Sequence, residues 1–157
     1  MQRLSTCLWF DDQAQEAAAF YVSLFPNSHI VDTKYYPEGS QRPAGSVLTV
    51  QFTLDGNEYV ALNGGPQFKF SPAVSLVANC DTQQEVDTLW HKLSEGGQEG
   101  QCGWLTDKYG LSWQVVPRAL IKMLSTADSA ASQRAFAAMM TMTKLDIAAL
   151  QRAFEGS

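Results

Sequence analysis

The sequence has few of the residues on which metal sites and disulfide frameworks depend. Only two histidines and three cysteines occur in 157 residues. Cys7, Cys80 and Cys102 are widely spaced, with no C-x-x-C pair and no histidine cluster near them. An odd number of cysteines also cannot be paired completely into disulfides within one chain. The pattern argues against a disulfide-bonded scaffold and against a zinc site.

Positive charge is scarce as well. The chain has 11 Lys and Arg against 16 Asp and Glu, which gives a formal net charge of -5, and no run of basic residues is longer than two. Proteins that bind nucleic acids use clustered Lys and Arg to neutralise phosphates. We therefore expect no nucleic-acid partner.

Long apolar runs are missing too. No stretch approaches the roughly 20 apolar residues that a membrane-spanning helix needs. From Met1 the chain runs straight into the strand-like segment "RLSTCLWF", without a basic start followed by an apolar stretch and a cleavage site. We expect a cytoplasmic protein with no membrane partner.

The residues that are present suit a folded chain. Apolar residues make up 45% of the sequence and charged residues 17%, which is enough apolar mass for a core and too little charge for disorder. A chain of this length forms one ordinary domain or two small modules that share a core. We expect a single domain over residues 1–157.

The first part of the chain predicts a strand, a helix and three further strands. The segment "STCLWF" is rich in strand formers and stops at Asp11 and Asp12, which can cap the helix predicted in "DQAQEAAAFYVSLFP". Three strand candidates follow, and the last two are separated by Asp55, Gly56 and Asn57, a typical hairpin turn. The candidates read "SHIVDTKYY", "GSVLTVQFTL" and "EYVALNGG".

The same pattern then starts again. The strand "AVSLVANC" precedes the helix "DTQQEVDTLWHKLSEGG", in which Thr82 and Glu85 have capping-box spacing. A hairpin follows in "EGQCGWLTD" and "LSWQVVP". An offset of 69 residues aligns Glu16 with Glu85 and places both helices in the same phase. A repeat of this length predicts two copies of one supersecondary unit, module one at 4–65 and module two at 72–117.

Residues 118–157 form a helical C-terminal appendage by composition and spacing. The simpler interpretation is an apolar helical stripe that covers a sheet or a dimer face. The alternative is a lid in which Met139, Met140 and Met142 adapt to a ligand.

A repeated strand, helix and three strands resembles the vicinal oxygen chelate superfamily, which includes glyoxalase I, extradiol dioxygenases and bleomycin resistance proteins. The resemblance covers residues 4–117. More narrowly, the chain is similar to the PhnB-like branch, often labelled 3-demethylubiquinone-9 3-methyltransferase. The segments that carry this likeness are "LWF", "EAAAFY", "LFPNS", "EVDTLWHKLSEGG", "CGWLTDKYGLSWQVVP" and "MTKLDIAAL".

The resemblance implies an α+β fold in which two βαβββ modules form curled mixed sheets around a pocket, often completed in a homodimer. Metal-dependent members place one ligand on the first strand and one on the last strand of each module. Here those positions correspond to Thr6, Ala61, Ser75 and Gln114, with Ala61 uncertain by one residue. None is His, Asp or Glu, the side chains that bind divalent transition metals. We therefore expect neither a metal nor another cofactor.

Gln114 resembles the glutamate ligand position with its charge removed, so we expect it to recognise a ligand rather than to bind a metal. Thr6 and Ser75 add hydroxyl groups and Asn63 a second amide, while a one-residue slip would replace Asn63 by Leu62. Aromatic residues suit a mostly apolar pocket with a few orienting polar atoms. The aromatic candidates are Trp9, Trp104 and Trp113.

Other chemistry finds little support in the sequence. No G-x-S-x-G nucleophile elbow occurs, and the glycine-rich segments do not connect a strand to a helix with G-x-G-x-x-G spacing. A methyltransferase would need such a turn to hold its cofactor. The methyltransferase label is therefore not supported by the residues.

The favoured hypothesis is a dimeric, metal-free protein that binds and sequesters a small, partly aromatic molecule. The alternative is a lyase, isomerase or dioxygenase-type enzyme with an atypical metal site, or with acid–base chemistry at Glu58, Asp107, Tyr109 or a cysteine. A third hypothesis is a regulatory module that acts through protein contacts.

Overall fold

The computed structural model describes residues 2–157. The chain divides into two compact units, Met1–Lys69 and Phe70–Ser157. Each unit has a four-stranded mixed sheet with a helix between its first and second strands. The predicted α+β fold with two βαβββ modules is therefore confirmed. The organisation as a single domain stays a prediction.

The first unit forms a sheet in the order β1-β4-β3-β2, with β1 parallel to β4 and the other pairs antiparallel. Asp55 (φ 47°) and Gly56 (φ 82°) both have positive φ, as the two-residue turn of a β3–β4 hairpin requires. The elements are β1 Thr6–Phe10, α1 Ala14–Val22, β2 His29–Tyr35, β3 Val47–Leu54 and β4 Asn57–Asn63.

Helix α1 begins at Ala14 and is not capped by Asp11 or Asp12, so that prediction is wrong. The N-cap residue is Gln13, whose side chain makes no capping hydrogen bond. The backbone N–H of Ala14 instead donates to Asn63 Oδ1 at 2.8 Å, and Asn63 Nδ2 donates to the Val47 carbonyl at 3.0 Å. The end of β4 therefore supplies the cap from a distant part of the sequence.

Helix α1 packs against β3 and β4. Successive side chains of a strand point to opposite faces of the sheet, so the helix covers every second residue. The helix contributes small side chains and one aromatic ring to this core, at Ala14, Ala17, Ala18 and Tyr21. The sheet contributes the buried residues Leu8, Phe10, Val50, Phe52, Leu54 and Ala61.

The second unit forms a sheet in the order β5-β8-β7-β6. The predicted strand in "EGQCGWLTD" is split, because the chain turns between β6 and β7 at Cys102 (φ 59°) and Gly103 (φ 85°). The backbone N–H groups of both residues donate to carbonyls of the C-terminal segment, at Met142 and Thr143. The elements are β5 Ser75–Cys80, α2 Gln83–Ser94, β6 Gln98–Glu99, β7 Trp104–Thr106 and β8 Ser112–Pro117.

Helix α2 has the predicted capping box. Thr82 Oγ1 accepts a hydrogen bond from the Glu85 backbone N–H at 3.1 Å. The Glu85 carboxylate in turn accepts from the Asp81 backbone N–H at 2.7 Å. The whole motif spans five consecutive residues, 81–85, which is why the sequence predicted it.

The C-terminal segment forms three helices, α3 Arg118–Leu124, α4 Ser129–Met139 and α5 Ile147–Glu155. They enclose a small apolar core against which Met139 and Met142 pack, whereas Met140 is 54% exposed. The buried members of that core are Leu120, Met123, Ala135, Leu145 and Leu150.

Neither sheet is strongly curled, in contrast to the curl that the resemblance implied. Each sheet has only four strands, and in the second sheet β6 and β7 span two and three residues, which is too short to bend far. No helix within residues 2–157 is long and apolar enough to span a membrane.

Candidate ligand-binding face

Each sheet has a face covered by the helix of its own unit and an opposite face, here called the open face. In the second sheet α2 covers the buried residues Ala78, Leu105, Trp113 and Val115. Because side chains alternate, the residues between them lie on the open face. These include Ser75, Val77, Trp104 and Gln114.

Gln114 lies at the centre of the open face of the second sheet. Its strand partners are Val77 on one side and Trp104 on the other. Its amide Nε2 donates to Ser75 Oγ at 3.0 Å. Neither the other end of the Gln114 amide nor the Trp104 indole N–H has a hydrogen-bond partner within residues 2–157, and neither atom is buried.

This arrangement combines fixed polar atoms with apolar surface. The Gln114 side chain is held by Ser75 and still offers a hydrogen-bonding group. Val77 is 49% exposed and Trp104 is half-buried, so apolar side chains flank the amide. Of the eight candidates from sequence, Ser75, Gln114 and Trp104 are brought together here.

Trp113 lies on the helix-covered face and is 2% exposed. Its indole Nε1 donates to Asp107 Oδ2 at 2.8 Å. Asp107 Oδ1 accepts from the backbone N–H groups of Tyr109 at 2.8 Å and Leu111 at 3.1 Å. Asp107, itself 2% exposed, therefore organises the β7–β8 turn and fixes the Trp113 ring.

The candidates in the first unit lie mostly on the helix-covered face. Ala61 is fully buried, and Asn63, 5% exposed, uses both ends of its amide to hold α1 and β3. Thr6 shares a face with Leu8 at the exposed start of β1. Trp9 lies on the open face at the end of the sheet, where its Nε1 donates to the Gly65 carbonyl at 2.9 Å.

The first strands of the two sheets, β1 and β5, correspond with an offset of 70 residues, not the 69 that relates the helices. Phe10 and Cys80 are the buried last residues of β1 and β5, and they pair with the last residues of β4 and β8. The helices keep the offset of 69, which aligns the buried residues Tyr21 and Trp90. The β1–α1 connection is therefore one residue longer than the β5–α2 connection.

This one-residue difference changes which residues of the first unit correspond to the open-face residues of the second unit. Ser5 corresponds to Ser75. Val60, which pairs with Cys7, corresponds to Gln114, which pairs with Val77. Thr6 and Ala61, the positions inferred from the sequence, are each displaced by one residue and hence point to the opposite face.

A groove of about 230 Å³ lies on the open face of the first sheet. Reasoning from sequence missed it, although the alternation of Thr49 and Gln51 with the buried Val50 and Phe52 is the pattern of a sheet with one polar face. The groove is lined by Ser5, Asp32, Lys34, Thr49, Gln51, Glu58 and Val60.

The side chains at these four positions do not fit the metal site that the resemblance implied. Ser5, Val60, Ser75 and Gln114 supply neither imidazole nor carboxylate. Across residues 2–157, no group of three or more His, Cys, Asp and Glu side chains could hold a metal ion. No chemical step is therefore assigned to a metal at these positions.

Burial raises the pKa of two cysteine thiols. The pKa of Cys80 rises to about 11, first because the thiol is desolvated and then because Glu85 and Asp81 lie near, while Arg118 acts in the opposite direction. Desolvation also raises the pKa of Cys7. Since the thiolate is the nucleophile, Cys80 is a structural residue at neutral pH.

We expect Cys80 to resist alkylation in the folded protein. With a pKa of about 11, only roughly a thousandth of this thiol is ionised at about pH 8, and the side chain is 1% exposed. Iodoacetamide labelling followed by peptide mass spectrometry should show Cys80 modified far more slowly than in urea-unfolded protein, with the rate rising as pH approaches the pKa. Equal rates in the two states would contradict this account.

The chain thus consists of two βαβββ units, each with one open sheet face. Comparison with known proteins shows to which family it belongs. The sequence model of the family 3-demethylubiquinone-9 3-methyltransferase matches residues 2–116. The chain therefore belongs to this family, as the PhnB-like resemblance predicted. The match ends before helices α3 to α5. No curated protein matches the chain.

Solved structures agree with this assignment. A putative 3-demethylubiquinone-9 3-methyltransferase, a PhnB protein from Bacillus cereus, is 38% identical, with a TM-score of 0.69 over 74% of this chain and 99% of that chain. Protein PA1353 from Pseudomonas aeruginosa is 19% identical, with a TM-score of 0.61 over 74% and 98%. The fosfomycin resistance protein FosX from Listeria monocytogenes is 14% identical, with a TM-score of 0.56 over 80% and 98%. The last two show likeness of fold alone.

Proposed function

We propose that this protein binds a small, partly aromatic molecule, without a metal, on the open face of the second sheet. The observation that carries the proposal is the amide of Gln114, which is held by Ser75 at 3.0 Å and flanked by Trp104 and Val77. A fixed amide with one end available, beside an indole ring, suits a ligand with an aromatic part and one polar group.

The hydrogen bond from Gln114 to Ser75 lowers the cost of binding. A free glutamine side chain loses about 1 kcal/mol or more of rotamer entropy when a ligand immobilises it. Here the protein has already restricted the side chain. Trp104 supplies a rigid ring with few rotatable bonds, so stacking on it costs little entropy.

The family name is not the basis of this proposal. No G-x-G-x-x-G sequence connects a strand to a helix in this chain, and the helices of both modules follow their strands through short acidic segments, "DDQ" and "DT". Such segments do not form the anion-binding turn of a nucleotide-like cofactor site. Methyl transfer is therefore not proposed. Fosfomycin resistance is a property of FosX, and it is not proposed for this chain.

The test is a binding titration with catechol, benzoate and benzamide, followed by tryptophan fluorescence and by amide NMR shifts. We expect at least one probe to bind with shifts at Gln114 and Trp104. Q114L should weaken that binding roughly tenfold, because it removes one hydrogen bond and leaves the ligand's polar group unpaired. Q133L, a matched change on the exposed surface of α4, should leave binding unchanged.

The proposal fails if none of the three probes binds, or if Q114L binds as tightly as the unaltered protein. Its metal-free part is tested separately by elemental analysis before and after incubation with nickel, zinc, manganese and iron(II). Near-stoichiometric metal that survives dialysis would contradict that part and would favour a lyase, isomerase or dioxygenase-type enzyme.

An acid–base enzyme is the second candidate, and the groove of the first sheet favours it. Glu58, Asp32 and Lys34 line the same 230 Å³ space, so groups that accept and donate protons lie together there. Asp107 supports this candidate less well, because its carboxylate already accepts three hydrogen bonds within the β7–β8 turn.

A further inference from the structure

Two sulfur atoms meet at the surface of the second unit. The thiol of Cys102, in the turn between β6 and β7, donates a hydrogen bond to the thioether sulfur of Met140 at 3.7 Å. Met140 is the C-cap residue of α4 and is 54% exposed, and Cys102 is a free, half-buried cysteine. Neither residue belongs to a strand, so the pair is not part of either open face.

We propose that Cys102 and Met140 together bind Cu(I), a soft monovalent metal ion. Thiolate and thioether sulfur are the protein ligands that select Cu(I) over the harder divalent ions. On binding, the Cys102 thiol loses its proton to solvent, and the thiolate and the Met140 sulfur each donate an electron pair to the metal. The site involves none of the four sheet positions discussed above, and it does not depend on the proposed function.

The spacing of the two sulfur atoms suits a shared metal ion. With metal–sulfur bonds of about 2.3 Å, two sulfurs 3.7 Å apart subtend an angle of about 107° at a metal between them. This angle is close to tetrahedral, so two protein ligands form only part of the coordination shell. Because Met140 is exposed, water or a small thiol can complete the shell from the solvent side.

Backbone hydrogen bonds hold the two sulfur-bearing residues beside each other. The N–H groups of Cys102 and Gly103 donate to the carbonyls of Met142 and Thr143, each at 2.8 Å. These bonds tie the β6–β7 turn to the segment that follows Met140 closely in sequence. The backbone of both residues is therefore fixed before a metal binds, which reduces the entropy that is lost on binding.

Apolar packing is the simpler explanation for a methionine at this position, and the neighbouring methionines argue against it. Met139 and Met142 pack against the apolar core of the C-terminal helices. Met140 lies between them in sequence but is more than half exposed. An exposed side chain gains little from burial of apolar surface, so the contact of Met140 with Cys102 is better explained by the chemistry of its sulfur.

Cys7 provides a comparison within the same chain. It is also a free cysteine, and it is exposed, whereas Cys80 is buried. Within residues 2–157 the Cys7 thiol donates no hydrogen bond to a methionine sulfur, unlike the Cys102 thiol. A metal ion that only followed accessible thiols would bind Cys7 and Cys102 alike. The proposed site instead selects Cys102, because only there does a second sulfur ligand lie beside the thiol.

The test is an anaerobic titration with Cu(I) in competition with the coloured chelator bicinchoninate. We expect one tight site per chain. C102S should abolish that site. M140L keeps the volume of the side chain but removes its sulfur, and it should weaken Cu(I) binding roughly tenfold or more. M139L, the matched change at the neighbouring methionine, should leave the affinity unchanged.

Alkylation with N-ethylmaleimide, followed by peptide mass spectrometry, locates the bound metal. One equivalent of Cu(I) should slow the modification of Cys102 and leave that of Cys7 unchanged, and this preference should be lost in M140L. Circular dichroism of each variant shows whether it is folded. The proposal is overturned if Cu(I) does not bind, if M140L binds it as tightly as the unaltered protein, or if Cys7 is protected as much as Cys102.

Discussion

Replacement of Gly97 by alanine should destabilise the second unit by about 3 kcal/mol, through overpacking against backbone atoms. A Cβ atom at this position would lie 2.0 Å from the Thr106 carbonyl oxygen and 2.7 and 2.9 Å from the backbone of Asp107. Backbone atoms cannot move aside as a side chain can. The β6–β7 hairpin, held by pairing of Gln98 with Thr106, would have to open.

Urea unfolding followed by circular dichroism measures this loss. The matched control is Gly39→Ala, where nothing lies within 4 Å of the added Cβ but φ is +85°. That substitution carries only the cost of a left-handed conformation, about 1 kcal/mol. Equal losses for the two variants would show that steric contact at Gly97 is not the cause.

Replacement of Asp107 by alanine should cost about 3 kcal/mol or more, because it leaves buried donors without an acceptor. The carboxylate accepts from the backbone N–H groups of Tyr109 and Leu111 and from the Trp113 indole. Leu111 and Trp113 are 1% and 2% exposed, so water cannot replace the lost acceptor without rearrangement.

The control for this prediction is Asp107→Asn, which has nearly the same shape. One side-chain oxygen remains to accept from the turn, whereas the amide NH₂ faces another donor and cannot replace the second oxygen. We expect roughly half the loss seen with alanine, measured by urea unfolding and by the near-ultraviolet signal of the tryptophans. An alanine variant as stable as the unaltered protein would exclude Asp107 as the anchor of the turn.

The repeat and its elements were predictable because their signals are local. The capping box at Thr82 and Glu85, the turn at Asp55 and Gly56 and the helical spacing of residues 118–157 each depend on residues close in sequence. The start of α1 was predicted wrongly for the opposite reason. Its cap comes from Asn63, 49 residues away, and no local pattern indicates that contact.

The candidate site was only partly predictable, because the short apolar strand β1, "TCLWF", does not show from its residues which face the helix covers. The offset of 69 holds for the helices, but an extra residue after β1 makes the first strands, β1 and β5, correspond with an offset of 70. The helical offset of 69 matched Thr6 with Ser75, whereas the register of the strands matches Ser5 with Ser75. Ala61 was matched with Gln114 to within one residue, and the register selects its neighbour Val60. Gln114 in the second sheet was selected without the repeat offset, and it lies on the open face.

The sequence by itself determined the α+β class, the two βαβββ units, the helical C-terminal segment and the PhnB-like resemblance. Periodicity, turns and caps are properties of short segments, and the family motifs are contiguous. Only the tertiary structure decided that Ser75 anchors Gln114, that Asn63 caps α1, and that Asp32 and Lys34 lie on the open face of the first sheet. These facts depend on strand register, and register is set by long-range pairing that reverses every side chain when it slips by one residue.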